Sequence, residues 1–172
     1  MKDQSDNEAK KADFYEALET FKIGMLGTMS SGNELRSRPM ALAEIDRERG
    51  ELWFVTSDDS GKADEILDDP RVNVTFQSTT RYISISGGAQ LHDDRERIER
   101  LWSDTWRPWF PDGPSADGLL LLRVRAHRGE CWDVSGVGGV KLLIEWASSM
   151  LTGSPIPSHA YDERHESVYL SA

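Results

Sequence analysis

Apolar and polar residues alternate strictly in two stretches of the chain. Val72, Val74 and Phe76 flank the polar Asn73 and Thr75, and Ile83 and Ile85 are set against Tyr82, Ser84 and Ser86. A period of two marks a strand with one buried face. Other extended runs surround these: "KIGMLGTM", "ELRSRPMALAEI" and "ELWFVT" before them, and "LLLLRVRAHRGECWDV" after. "ELWFV" is apolar on both sides, which predicts a strand between the core and a second buried surface such as a subunit contact. "DRERG" at 46–50 and "QSTT" at 77–80 are short polar connections of hairpin type. About six strands in close succession, with few long helices between them, predict a mainly β protein: a closed antiparallel barrel with flanking helices.

Helical periodicity appears at the edges of this pattern. Residues 5–22 read as a helix, with Ser5 and Glu8 at capping-box spacing and Phe14, Leu18 and Phe21 on one stripe. Residues 60–69 predict a brief helix with Ala63, Ile66 and Leu67 inward, stopped by Pro70. A third helix begins in 93–106 and runs into the aromatic-rich "WSDTWRPWFPDGP"; a last one spans 137–151. Residues 1–151 are expected to form one domain, and 152–172, rich in Ser, Pro and charge, a loosely held tail.

The 172 residues suffice for one self-supporting core. A formal net charge of −10 disfavours nucleic acid and anionic membranes as partners. The single cysteine, Cys131, has no intrachain disulfide partner, and the polar start "MKDQSDNEAKK" lacks the apolar core of a secretion signal. These features predict a cytoplasmic protein. "GGVKLLIEWASSML" carries Lys141 and Glu145 and is too short to span a membrane.

Three cations stand out by position. Arg36 and Arg38 in "LRSRPM" are two apart on a strand and so share a face, beside Pro39, which interrupts the ladder. Paired guanidinium groups suit a phosphate, or equally a solvated strand paired with surrounding acids. Lys62 sits in the first turn of the 60–69 helix, where the macrodipole opposes a cation. A phosphate held by Ser60 and the free N–H groups of that turn turns the cation into a stabilising one. Asp58 and Asp59, just upstream, offer the alternative of a cap or an ion pair.

The order "RPMALAEID…G.LWFVTSDDSGKADEILDDPRVNVTF…YISISGGA…ECWDV" resembles the pyridoxamine 5′-phosphate oxidase-like flavoproteins, in particular their general stress protein branch, over roughly residues 10–150. The resemblance implies a six-stranded antiparallel split β-barrel that forms a homodimer and binds flavin mononucleotide (FMN) in two clefts between the subunits. Arg38 and Lys62 would then hold the phosphate, assisted by Ser60. Pro39, Met40 and Ala41 would line the isoalloxazine from the strand backbone, and Val55, Thr56 and Ser57 would contact the ring or ribityl chain. Tyr82 falls near a position that is often glutamine in the true oxidases. Trp132 in "ECWD" would reach across from the other subunit.

Two departures from the oxidases matter. The Arg-x-His segment that binds their substrate is matched by "GVGGVKLLIEWASSM", without arginine or histidine, so oxidation of pyridoxamine phosphate is not expected. Gly61 stands where the oxidases often carry a second basic residue. No acid, base or nucleophile presents itself as catalytic. The function expected is a flavin-dependent oxidoreductase of stress-response type with an unidentified substrate. The alternatives are a flavin-binding or sensing module without turnover, and a split barrel using haem, a deazaflavin or no cofactor. His92, His127, His159 and His165 show no metal-ligand spacing, and no metal is expected. Cys131 reads as a small buried residue, and Trp102, Trp106 and Trp109 as packing onto the barrel.

Overall fold

The computed structural model describes residues 2–133 and 165–170. Through β6 its elements follow the expected order: α1 (Lys2–Glu19), β1 (Ile23–Met29), β2 (Leu35–Asp46), β3 (Glu51–Ser57), α2 (Gly61–Asp68), β4 (Arg71–Gln77), β5 (Arg81–His92), α3 (Arg95–Leu101) and β6 (Leu119–Asp133), with a further strand, β7 (His165–Tyr169), after them. The sheet order is β3-β2-β1-β4-β5-β6-β7, all antiparallel, and β3 also pairs with β6 to close a six-stranded barrel. One long strand makes this possible. Along one edge, β6 pairs with β3 through Leu119–Arg125 and with β7 through Arg128–Trp132, while its other edge follows β5. The β5–β6 register shifts between Ser86 and Gly87, where a Cβ on Gly87 would lie 2.3 Å from the Arg125 carbonyl oxygen. Only glycine admits so close a backbone, and such a bulge supplies the extra bend that closure demands.

Alternation decides which side chains fill the barrel. Val72, Val74, Phe76, Ile83 and Ile85 are buried with Leu26 of β1, Leu52 and Phe54 of β3, and Leu122 and Val124 of β6. Helix α1 adds Phe14, Tyr15 and Leu18. Phe21, just beyond the helix end, meets Phe76 at 5.6 Å between ring centroids. The helix begins at Lys2, so Ser5 lies inside it rather than at its cap.

The two-sided strand β3 has a different explanation from the one expected. Leu52 and Phe54 face the barrel, but Trp53 faces a second cluster within the same chain, built with Ile98 of α3 and Ala116, Leu119 and Leu121. Val55, Leu101, Trp102 and Phe110 pack around it. The second buried surface is therefore intramolecular. The aromatic-rich segment supplies much of it: Trp102 and Trp106 meet edge to face at 5.7 Å, and Trp106 is buried, whereas Trp109 is exposed. The helix expected over 93–106 ends at Leu101, with a short 3-10 turn at Asp104–Trp106.

Two further expectations are corrected. Leu67 is exposed; the buried face of α2 carries Ala63, Glu65 and Ile66. Part of the stretch read as a loose tail forms β7, whose Val168 is buried, as is Leu170 just after it. A five-residue strand flanked by Ser, Pro and charge has too little local signal to be seen without its partner β6. The helix expected at 137–151 lies outside the described residues.

Candidate functional site

Strand geometry brings the two arginines to one place. Arg36 pairs with Thr28 of β1 and Arg38 with Leu26, so Thr28, Arg36 and Arg38 share the inward face near one end of the barrel. Helix α2 crosses that end and turns Glu65 toward them. The Glu65 carboxylate is buried, with 8% of its side chain exposed. Its Oε1 accepts from Arg36 Nη1 at 3.2 Å, and its Oε2 accepts from Arg38 Nη2 at 2.6 Å and from the Thr28 hydroxyl at 2.5 Å. Arg38 Nη1 also donates to the Thr28 hydroxyl oxygen. Burial works to raise the Glu65 pKa, but the Thr28 hydroxyl and the two guanidinium groups outweigh it and hold the carboxyl below its ordinary range.

Lys62 lies on α2 one turn before Glu65. It is half-buried, and burial together with the nearby Arg38 guanidinium lowers its pKa despite opposing contributions from Asp59 and Glu65. It forms no ion pair with any described residue. Arg38 is thus close enough to Lys62 for its charge to act on the ammonium. Around them the Ala63 N–H is taken by the Ser60 carbonyl at 2.7 Å, while the Gly61 and Lys62 N–H groups lie ahead of the first bond of the helix. Ser60, at the N-cap position, makes no side-chain cap bond, and its hydroxyl donates instead to the Ser57 carbonyl at 2.7 Å. Asp59 accepts from the Ser57 hydroxyl. A desolvated lysine beside an arginine at a helix N-terminus is unfavourable on its own and favourable around an anion. A Cβ on Gly61 meets nothing within 4 Å, so the space of the missing basic residue is open.

The remaining candidates divide by face. Pro39 and Ala41 point outward from β2, opposite Met25 and Ile23 of β1, both exposed. Met40 points into the core, so only its backbone is available there. Val55 packs against the second cluster. Thr56 is buried, and its hydroxyl has no hydrogen-bond partner among the described residues. Tyr82 and Trp132 are cross-strand partners on the outer face of β5 and β6. They do not join Arg38 and Lys62. Tyr82 pairs with Gln77, two residues past Thr75, the partner of Met25, placing it roughly 16 Å along the strands from Thr28. Contact between the two groups in one cleft requires a second chain.

Sequence reasoning missed Glu65. The available signal was an acid between Ala63 and Ile66, two of the three residues expected on the inward face of α2, in a helix next to a strand carrying two arginines. A carboxylate on an apolar arc needs a buried cationic partner.

A closed six-stranded antiparallel barrel with two arginines and a lysine gathered at its α2 end defines a split-barrel class of protein. The chain belongs to the pyridoxamine 5′-phosphate oxidase like family, whose profile matches residues 9–156. Among curated proteins, it is 28% identical over 145 residues to protein bli-3 of Neurospora crassa, covering 78% of this chain and 69% of that one. Among solved structures, the general stress FMN/FAD binding protein of Xanthomonas citri is 28% identical, with a TM-score of 0.63 over 73% of this chain and 89% of that one. General stress protein 26 of Bacillus anthracis, 20% identical with a TM-score of 0.64 over 70% and 92% of the two chains, shares the fold.

Proposed function

We propose that this chain binds FMN as a homodimer and works as a flavin-dependent oxidoreductase of the general stress type, in the cytoplasm, on a substrate other than pyridoxamine phosphate. The observation that carries the reading is Lys62: a half-buried cation beside Arg38 at the N-terminus of α2, near Asp59 and Glu65 but in no ion pair within 4 Å among the described residues. A phosphate, carrying about −1.5 to −2 charges, turns this arrangement from repulsive to attractive. The Arg38 guanidinium and Lys62 ammonium hold the phosphate, and the Ser60 hydroxyl oxygen and first-turn N–H groups complete the cradle. The outward β2 backbone at Pro39, Met40 and Ala41 supports the ring, with Val55, Thr56 and Ser57 at the neighbouring strand end. Tyr82 and Trp132 enter from the second copy. When bound, the flavin supplies the electron chemistry, and the chain supplies binding, orientation and exclusion of water.

Two facts support the dimer. Ile23, Met25 and Leu35 leave an apolar outer face on β1 and β2, and the Tyr82–Trp132 pair cannot reach the cradle of its own chain. The Xanthomonas citri relative, described as an FMN/FAD binding protein, supports the flavin. The deciding experiment compares FMN with riboflavin, which lacks the phosphate. Lys62→Ala is expected to weaken FMN about 10- to 100-fold, the range for one lost charge-assisted bond, and riboflavin hardly at all. Equal loss for both ligands rejects the cradle.

A further inference from the structure

Glu65 is an acid in a site that needs to attract an anion, and charge alone makes it a liability there. Its geometry suggests another role. One carboxylate takes both arginines, Arg36 at 3.2 Å through Oε1 and Arg38 at 2.6 Å through Oε2, while Thr28 donates to Oε2 at 2.5 Å and accepts from Arg38. Arg38 is thereby gripped through both terminal nitrogens, by Glu65 from α2 and by Thr28 from β1. The Arg36 carbonyl is a third, longer acceptor at 3.4 Å. A guanidinium has more N–H donors than these acceptors use, so a free edge remains for a ligand oxygen.

We infer that Glu65, with Thr28 as its relay, is the positioning residue of the cradle: it fixes the Arg38 guanidinium before the ligand arrives and presents its free edge beside Lys62. This rests on the phosphate reading given above. An arginine carries much rotamer entropy, which a pre-set side chain need not lose on binding. Glu65 also locks α2, which carries Lys62, to β2, which carries Arg38, so the spacing of the two cations becomes a property of the fold. Ion pairing with a buried carboxylate gives this link direction as well as strength.

The two possible roles predict opposite signs. If Glu65 acted only through its charge, removing that charge would tighten the binding of a phosphate dianion. If it positions Arg38, removing the charge loosens the guanidinium and weakens the binding. Glu65→Gln keeps the side-chain size, and Thr28→Val is nearly isosteric and leaves every charge in place. For each variant, FMN and riboflavin dissociation constants are measured by flavin fluorescence quenching, with far-UV circular dichroism as the check on folding. Both variants are expected to weaken FMN roughly tenfold and leave riboflavin within about twofold. In an Arg38→Ala background, Glu65→Gln is expected to weaken FMN no further.

FMN binding that is unchanged or tighter in Glu65→Gln overturns the inference, and so does a full additional loss in the Arg38→Ala background. Should Glu65→Gln not fold, Thr28→Val decides alone: unchanged FMN affinity overturns the positioning role. Lys62→Ala, run in parallel, tests the phosphate reading itself. If it fails to separate FMN from riboflavin, that reading falls; if it separates them and the Glu65 and Thr28 variants do not, only the positioning role falls.

Discussion

The guanidinium carbon of Arg97 lies 3.9 Å from the centre of the Trp53 ring, a cation stacked on an indole that is itself 3% exposed. Arg97 comes from α3 and Trp53 from β3, so the contact ties the second cluster to the barrel. Arg97 is held in turn by Glu44 of β2 at 3.6 Å. Removing the ring from this cluster is expected to cost about 3–5 kcal/mol in Trp53→Ala. Arg97→Ala is expected to cost about 0.5–2 kcal/mol, the range for a cation on an aromatic face from exposed to desolvated settings. Urea denaturation of the two variants checks both values, and the larger loss must belong to Trp53.

Lys62 is predicted to trade stability for binding. Its folded pKa is depressed, first by burial and then by Arg38, so the charged form is disfavoured in the native state. Between that value and the unfolded value of about 10.4 the unfolded chain binds more protons, and stability therefore rises with pH across this window. Lys62→Met removes an unfavourable cation from a helix N-terminus and is expected to stabilise the cofactor-free protein by about 0.3–1 kcal/mol at neutral pH. The gain shrinks as pH climbs through the depressed pKa. Chemical denaturation at neutral and alkaline pH measures it, and a loss of stability at neutral pH contradicts the assignment.

On the acid side two carboxylates act in the same direction. Bonds from the Arg71 side chain and backbone draw Asp69 down to about 2, and Glu65 is also held below its ordinary value. A group with a depressed folded pKa contributes stability that is fully present above its unfolded value, near 4, and lost as pH falls through the folded one. Stability is therefore expected to decline from about pH 4 toward pH 2. Asp69→Asn should flatten that decline by lowering the stability at neutral pH while leaving the value near pH 2 little changed, which a denaturant series across this pH range reads directly.

The outer face of β1 and β2 is expected to be where two copies meet. Ile23, Met25 and Leu35 are large, apolar and exposed there, with Leu35 81% accessible. Placing Glu at 25 and Asp at 35 sets like charges across the dyad, which costs several kcal/mol. On the proposed dimer, the expected result is a folded monomer by analytical ultracentrifugation, with flavin binding weakened through loss of the proposed contribution of Tyr82 and Trp132 from the second copy. A dimer that persists in the double variant places the interface elsewhere.

Much of this was legible along the chain because strand alternation and helix spacing are local. Val72 to Phe76 and Ile83 to Ile85 announced their inward faces, and residues two apart on a strand must share a side, so Arg36 and Arg38 belonged together from the outset. The lysine at the start of α2 was legible because it opposed the helix dipole. What tertiary structure alone decided is who meets whom. Glu65 reads as one more surface acid until α2 is laid across the barrel end and two guanidinium groups from β2 close on it. β3 announces two buried faces without naming what covers the second, and α3 with the Trp102–Trp106 segment supplies it from far along the chain. β7 carries almost no signal of its own and exists because the far half of β6 leaves an edge unpaired. Pattern along a chain reports which face of an element is apolar; the identity of the partner depends on loop closure and packing across distant segments, which local periodicity does not encode.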